Sequence, residues 1–286
     1  MSDHARSRRY SRRHPFDCSL TTTLKSVHVL RYLEPRAEET VLDVGCGLGF
    51  FLNRLAGRGL RGFGLDFSAK SLGLARQIVD CSLTQGDAQC LPYRDDSFDK
   101  IIFTDVLEHV FDDRQTLREV ARIGRDGAKV ALVTPGTRGA LARTSWRKLF
   151  HDEAGTPEFD ERPGYVPEEL RRLMEANGIR VVRMRQTLIF VGEFLLQATK
   201  KYLKMKKLHY QTQGDIVNIT DSGSYRIYRR FVFPLFWGLA RLEDMLLGRV
   251  ANGHSLIALG VVDKSLLGDE EVSEEAFRQP LAAAVS

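Results

Sequence analysis

Thr40-Val41-Leu42-Asp43-Val44-Gly45-Cys46-Gly47-Leu48-Gly49 is a short apolar strand that runs into glycine at every second position. An apolar helical pattern, Phe50, Phe51, Leu52, Leu55 and Ala56, opens directly behind it. Glycine lets the main chain turn sharply and lets a ligand approach where a Cβ would collide, and a helix start offers unpaired N–H groups. The stretch therefore reads as a nucleotide-type ligand loop between a strand and a helix. A dinucleotide fingerprint, G-x-G-x-x-G, requires glycine where this chain has Phe50, which argues against a nicotinamide dehydrogenase.

Working outward, a second strand pattern, Gly62-Phe63-Gly64-Leu65, ends in Asp66, an acidic residue placed to accept from two ribose hydroxyls. A third short stretch reaches Gly86-Asp87-Ala88. A fourth, Phe98-Asp99-Lys100-Ile101-Ile102-Phe103-Thr104-Asp105, runs into Val106-Leu107-Glu108-His109-Val110. This succession resembles the class I S-adenosylmethionine-dependent methyltransferases, above all the small-molecule branch that includes the quinone-biosynthesis methyltransferases. The resemblance covers residues 38–136 and rests on the combination of motifs in order.

The resemblance implies S-adenosyl-L-methionine as cofactor, held by Asp43, Gly45, Cys46, Gly47, Gly49, Asp66, Phe67, Asp87, Ala88 and Thr104. Asp43 would order the loop or meet the ligand's amino group, Asp66 the ribose, Asp87 the adenine amino group, and Phe67 would flank the adenine. The alternatives are a helix cap for Asp66, a turn aspartate for Asp87 and plain packing for Phe67. Cys46 has nothing that marks it as a nucleophile. Enzymes that methylate adenine amino groups carry Asn/Asp-Pro-Pro-aromatic where this chain has Thr104-Asp105-Val106-Leu107. The cysteine that follows proline in cytosine-C5 enzymes is absent, since Pro135 precedes Gly136 and Cys90 precedes Leu91-Pro92. Glu108 and His109 are the catalytic candidates. A sulfonium methyl is already activated, so catalysis requires a nucleophile held in line and a base if that nucleophile is a hydroxyl. Histidine has a suitable pKa; a helix-capping or packing role is the equal alternative. His151, Asp152, Glu153 and Tyr165 fall in the region that lines substrates in the family, with no spacing rule to select among them.

The chain of 286 residues carries a net charge of +5 and four cysteines, Cys18, Cys46, Cys81 and Cys90, without C-x-x-C spacing. Neither a metal site nor a disulfide framework is indicated, and a reducing cytoplasm fits. No signal-peptide pattern and no uncharged apolar run of spanning length is present. Arg6, Arg8, Arg9, Arg12 and Arg13 crowd one end, and Asp269, Glu270, Glu271, Glu274 and Glu275 the other. Solvated tails are the simple reading; a basic arm touching nucleic acid or an anionic membrane is the alternative.

Alternating strand and helix patterns predict an α/β fold: a Rossmann-like, seven-stranded, mostly parallel sheet with an antiparallel edge hairpin and an inserted helical cap. Predicted helices include 68–79, capped by Ser68, one capped by Asp112 or Asp113 with Leu117, Val120 and Ala121 on one face, and one begun at Pro167 with Leu170, Leu173 and Met174 buried. The expected divisions are a basic arm (1–20), a cofactor-binding core (21–136), a substrate-side region with strand six (137–187), a helical insert (188–253), the final strand (254–266) and an acidic tail (267–286). The insert stands where a hairpin would normally suffice, and loops that long are usually functional. It sets Arg226, Arg229 and Arg230 before Phe231-Val232-Phe233-Pro234-Leu235-Phe236-Trp237. That pattern suits a cap packed on the core, a homodimer surface or a peripheral membrane contact. The expected function is methyl transfer to oxygen, nitrogen or carbon of a small, lipophilic acceptor. The alternatives are an RNA or protein methyltransferase, or a non-catalytic S-adenosylmethionine-binding scaffold.

Overall fold

The computed structural model describes residues 14–136, 164–194, 228–248 and 253–267. Seven strands form one sheet: β1 (Thr40–Val44), β2 (Arg61–Asp66), β3 (Ser82–Gln85), β4 (Phe98–Thr104), β5 (Gly124–Pro135), β6 (Ile179–Thr187) and β7 (Ser255–Val262). Their order is β3-β2-β1-β4-β5-β7-β6. The first five pair in parallel, and β7 lies antiparallel between β5 and β6. The Rossmann-like sheet with its antiparallel edge is thus present.

All five residues of β1 are buried, as a central parallel strand covered on both faces requires. On one side lies the larger core, with Leu42, Ile101, Val130 and Leu132 of the sheet against Leu117, Val120 and Ala121 of α4 (Asp113–Ile123) and Leu170, Leu173 and Met174 of α5 (Pro167–Glu175). On the other, Val41, Ile102, Ala131 and Ile257 pack against Val29 and Leu33 of α1 (Leu20–Leu33) and Phe50, Phe51 and Leu55 of α2 (Phe50–Leu55). Asp112 caps α4 by accepting from the Gln115 N–H. Ser68 caps α3 (Ala69–Ala75), which is shorter than the predicted 68–79: Gly73 weakens its interior, and the Gln77 and Ile78 amides turn back to Leu74 and Ala75 in three-residue turns.

Residues 14–20, which the sequence places in the basic arm, are packed. His14, Cys18 and Leu20 are buried, and Pro15–Cys18 forms a 3-10 turn that leads into α1. Residues 1–13, 137–163, 195–227, 249–252 and 268–286 lie outside the described residues, and with them most of the insert and both charged tails.

The described part of the insert is a π-turn (Tyr228–Val232) continuing into α6 (Phe233–Leu247). α6 docks on the core as a cap. Phe233, Trp237 and Ala240 meet Leu20 and Leu24 of α1 and Leu188. Beside them the Asp244 carboxylate, 2% exposed, takes His28 Nε2 of α1 at 2.6 Å, Arg185 of β6 at 3.1 Å and Arg241 at 3.0 Å. Glu243 accepts from the Phe190 and Val191 amides, capping the helical turn that follows β6. The opposite face, with Phe231, Leu235, Leu239, Leu242, Met245 and Leu246, is exposed.

Asp244 concentrates three cationic or polar donors on one buried carboxylate, so truncating it withdraws the carboxylate from all three, while Arg185 keeps the Asp244 main-chain carbonyl at 3.0 Å. Asp244→Ala is expected to cost about 3–5 kcal/mol in urea-induced unfolding. A loss within experimental error would show that α6 does not depend on this contact.

Candidate active site

The strand order reverses between β1 and β4, which opens a crevice at their carboxyl ends where ligands bind in open α/β sheets. The chain leaves β1 through Gly45 at φ 71°, and a methyl group there would come within 2.1 Å of the Val106 side chain just beyond β4. Gly45 and Cys46 both donate to the Leu65 carbonyl, at 2.7 and 2.9 Å. Gly47 and Gly49 are also left-handed, and Gly49 begins α2. The predicted loop is therefore a tight turn wrapped over the end of β2.

Asp66 fixes that turn. Its carboxylate accepts from the Gly47 N–H at 2.7 Å and the Ser68 N–H at 2.9 Å. Asp43 lies behind the loop, 1% exposed, and its Oδ1 has no hydrogen-bond partner among the described residues. Burial, and then the nearby Asp66 charge, push its carboxyl well above the ordinary range. The Cys46 thiol is buried and its pKa pushed up, which makes it a poor nucleophile. Ala88 is buried, Asp87 is exposed and accepts from the Gln89 N–H, and the Phe67 ring is 79% exposed at the crevice rim. Thr104 ends β4, half-buried opposite Val133.

On the β4–β5 side stands a second group. Asp105 is held at φ 54° with its N–H on the Val133 carbonyl. Lys25 of α1 reaches both Asp105 oxygens at 2.7 Å. Glu108 is 3% exposed and accepts from Thr134 Oγ1 at 3.0 Å. Burial first, and the Asp105 charge next, push its carboxyl up to about 7, against the smaller pull of a hydrogen bond from its own backbone N–H and of His109 and Lys25. His109 shares the short 3-10 turn and is exposed. Tyr165 is fully buried with its hydroxyl on Asp113 at 3.1 Å, so it braces α4 and does not line a cleft. His151, Asp152 and Glu153 lie outside the described residues.

Lys25 and Thr134 were missed from sequence. Nothing local sets Lys25 apart, because the buried face of α1 also carries Thr23, Ser26 and His28 among Leu20, Leu24, Val29 and Leu33. A further unforeseen contact secures the glycine loop. The Phe16 N–H donates to His14 Nδ1 at 3.1 Å, which leaves Nε2 to donate to the Leu48 carbonyl at 3.1 Å.

Residues 42–132 match the methyltransferase domain family. Two similar curated proteins are the methyltransferase GfsG of Streptomyces halstedii, 37% identical over 38% of this chain and 42% of that protein, and a demethylmenaquinone methyltransferase of Shouchella clausii, 33% identical over 35% and 47%. The chain thus spans under half the length of these two relatives. Among solved structures, the fold is similar to the [4+2]-cyclase SpnF (TM-score 0.54, 17% identity, 84% of this chain and 80% of that one). It is also similar to phosphoethanolamine N-methyltransferase 2 of Haemonchus contortus in complex with S-adenosyl-L-methionine (TM-score 0.53, 16% identity, 84% and 52%). Residues 42–132 thus form a methyltransferase domain, for which S-adenosylmethionine is the expected methyl-donor group. The crevice suits that group, because the partnerless Asp43 Oδ1 calls for a donor such as an ammonium and the left-handed loop keeps Cβ atoms away from the crevice floor.

The raised Glu108 carboxyl ties stability to pH. Its folded form holds a proton more tightly than the unfolded chain, so its contribution is complete below about pH 4.5 and is lost as pH rises through about 7. Glu108→Gln is expected to remove a loss on the order of a few kcal/mol across that window in urea titrations at stepped pH. An unaltered pH dependence would mean that Glu108 is not the titrating group.

Proposed function

We propose that the protein is an S-adenosylmethionine-dependent methyltransferase acting on a small, lipophilic acceptor by O-, N- or C-methylation. The observation that carries the reading is the pairing of two unlike sites at one switch point: a left-handed glycine loop tied to Asp66, and a buried carboxyl, Glu108, beside His109 at the end of β4. When bound, the cofactor supplies an activated methyl group on a sulfonium. Asp66 would exchange its loop amides for ribose hydroxyls, Asp43 would meet the amino group, and Ala88 and Phe67 would enclose the adenine, with Asp87 at its amino edge. Glu108 and His109 would orient the acceptor and take its proton. The names of the relatives, a demethylmenaquinone methyltransferase among them, support a small acceptor.

The apolar face of α6 supports lipophilicity. Six large apolar side chains stand in water along a helix whose other face packs on α1, the helix that delivers Lys25 to the site. Arg229 and Arg230 sit at its start, with the Arg230 guanidinium 5.8 Å from the Phe231 ring centre. An apolar stripe flanked by cations suits the surface of an anionic bilayer from which an acceptor could be drawn. No described helix is long and apolar enough to cross a membrane.

Asp66→Ala is expected to weaken S-adenosylmethionine binding by about tenfold or more in calorimetry, because two hydrogen bonds to a charged acceptor are lost. Undiminished affinity would remove Asp66 from the site. With labelled cofactor and mixed lipid and quinone extracts, label is expected in the organic phase; label only in RNA or protein would overturn the small-acceptor reading. Replacing Arg226, Arg229 and Arg230 by glutamate is expected to abolish sedimentation with anionic liposomes while cofactor affinity holds. Wild-type protein that never sediments would dismiss the membrane contact.

A further inference from the structure

We propose that Lys25 is a positioning residue of the acceptor site, which holds the Asp105 carboxylate beside Glu108 and so sets when Glu108 can take the proton of a hydroxyl or amine acceptor. The proposal rests on the methyl-transfer reading and deepens it, since it names the acceptor class as one that must shed a proton.

The geometry is unusual for a structural ion pair. Lys25 comes from α1 and places its nitrogen 2.7 Å from both Asp105 oxygens; its side chain is only 11% exposed, while that of Asp105 is 45% exposed. Asp105 sits in the left-handed region at the carboxyl end of β4, tied through its N–H to the Val133 carbonyl and through its carboxylate to Lys25. Next along the chain, Glu108 is almost fully buried and anchored through one oxygen by the Thr134 hydroxyl. The groups that act on its charge are Asp105 at the end of β4, its own backbone N–H, His109 on its own turn, Lys25 from α1 and the Thr134 hydroxyl from β5. Asp105 disfavours the Glu108 carboxylate, and Lys25 and His109 favour it. A lone pair of neighbouring carboxylates would keep a proton well above neutrality; the ammonium compensates one of them and leaves the other able to titrate near the pH at which it must act.

The proton balance is complete without another reactant. The acceptor's O–H or N–H bond breaks, its electron pair stays on the oxygen or nitrogen and forms the new bond to carbon, and the proton passes to a Glu108 oxygen. The electrons of the broken methyl–sulfur bond remain on sulfur, whose positive charge is discharged. The protonated Glu108 then returns its proton to water.

The test is the titration of Glu108 itself, followed by carboxyl-carbon NMR in the ligand-free protein and compared with the pH–rate profile. Lys25→Met is expected to move the Glu108 midpoint up by roughly one pH unit, and Asp105→Asn to move it down by a similar amount. Lys25→Arg should restore the wild-type value. The alkaline-rising limb of methyl transfer should follow each shift. Should Lys25→Met fail to fold, Asp105→Asn and Lys25→Arg carry the comparison. Midpoints that stay fixed in the variants would overturn the proposal, as would a rate limb that ignores them. If the midpoints move as stated but no acceptor is methylated, the methyl-transfer reading fails and the acceptor class with it, a result distinct from fixed midpoints.

Discussion

A turn that only glycine can make, at the one place in the sheet where the strand order reverses, constrains the rest of the molecule. Gly45 passes so close to Val106 that a side chain would collide, and this brings the segment after β4 against the loop after β1. The loop then has to satisfy its own amides, which it does on the Leu65 carbonyl and the Asp66 carboxylate. Asp66 is thereby placed at the crevice with its charge already oriented. Asp43, left behind the loop with one oxygen partnerless, is costly in the folded protein unless a donor arrives. The local physics of one turn therefore creates both a shape and an electrostatic demand.

His14 grips the loop at Leu48, Lys25 grips Asp105, and His28 grips Asp244, so α1 and the segment before it connect the glycine loop, the end of β4 and the inserted helix in succession. Each contact is polar and largely withdrawn from water, which makes the position of α1 specific. A helix packed only through Leu20, Leu24 and Val29 could slide; one that must also satisfy two buried cationic or polar groups cannot do so without leaving them unpaired. The insert is thus coupled to the site through α1, and α6 keeps its second apolar face outward.

Much of this was legible in the sequence because it is local. The glycine turn, Asp66, the Ser68 and Asp112 caps and the buried faces of α4 and α5 are written in residue types a few positions apart, and the parallel core strands in continuous apolar runs. What could not be seen depends on distant pairs. Lys25 with Asp105 and His28 with Asp244 are joined across the fold, and the polar residues on α1 blur its apolar stripe, so the helix carried no clear pattern. The packing of residues 14–19 is not legible because His14–Ser19 has no periodicity; His14 is instead held by a carbonyl that only the folded loop provides. Glu108 and His109 stand out in the sequence as adjacent titratable residues after β4, whereas the environment that perturbs Glu108 does not, because burial and a neighbouring charge are properties of the assembled sheet.

The central claim is that the Gly45–Gly49 turn with Asp66 and Asp43 is the cofactor site. Backbone amide NMR during titration with S-adenosylhomocysteine tests it directly. The account predicts saturable shifts concentrated at Gly45–Gly49, Asp66–Ser68 and Asp87–Ala88, with the Gly47 amide among the largest as its carboxylate partner is drawn to the ligand. Saturable shifts confined to other regions, with these amides unmoved, would contradict it.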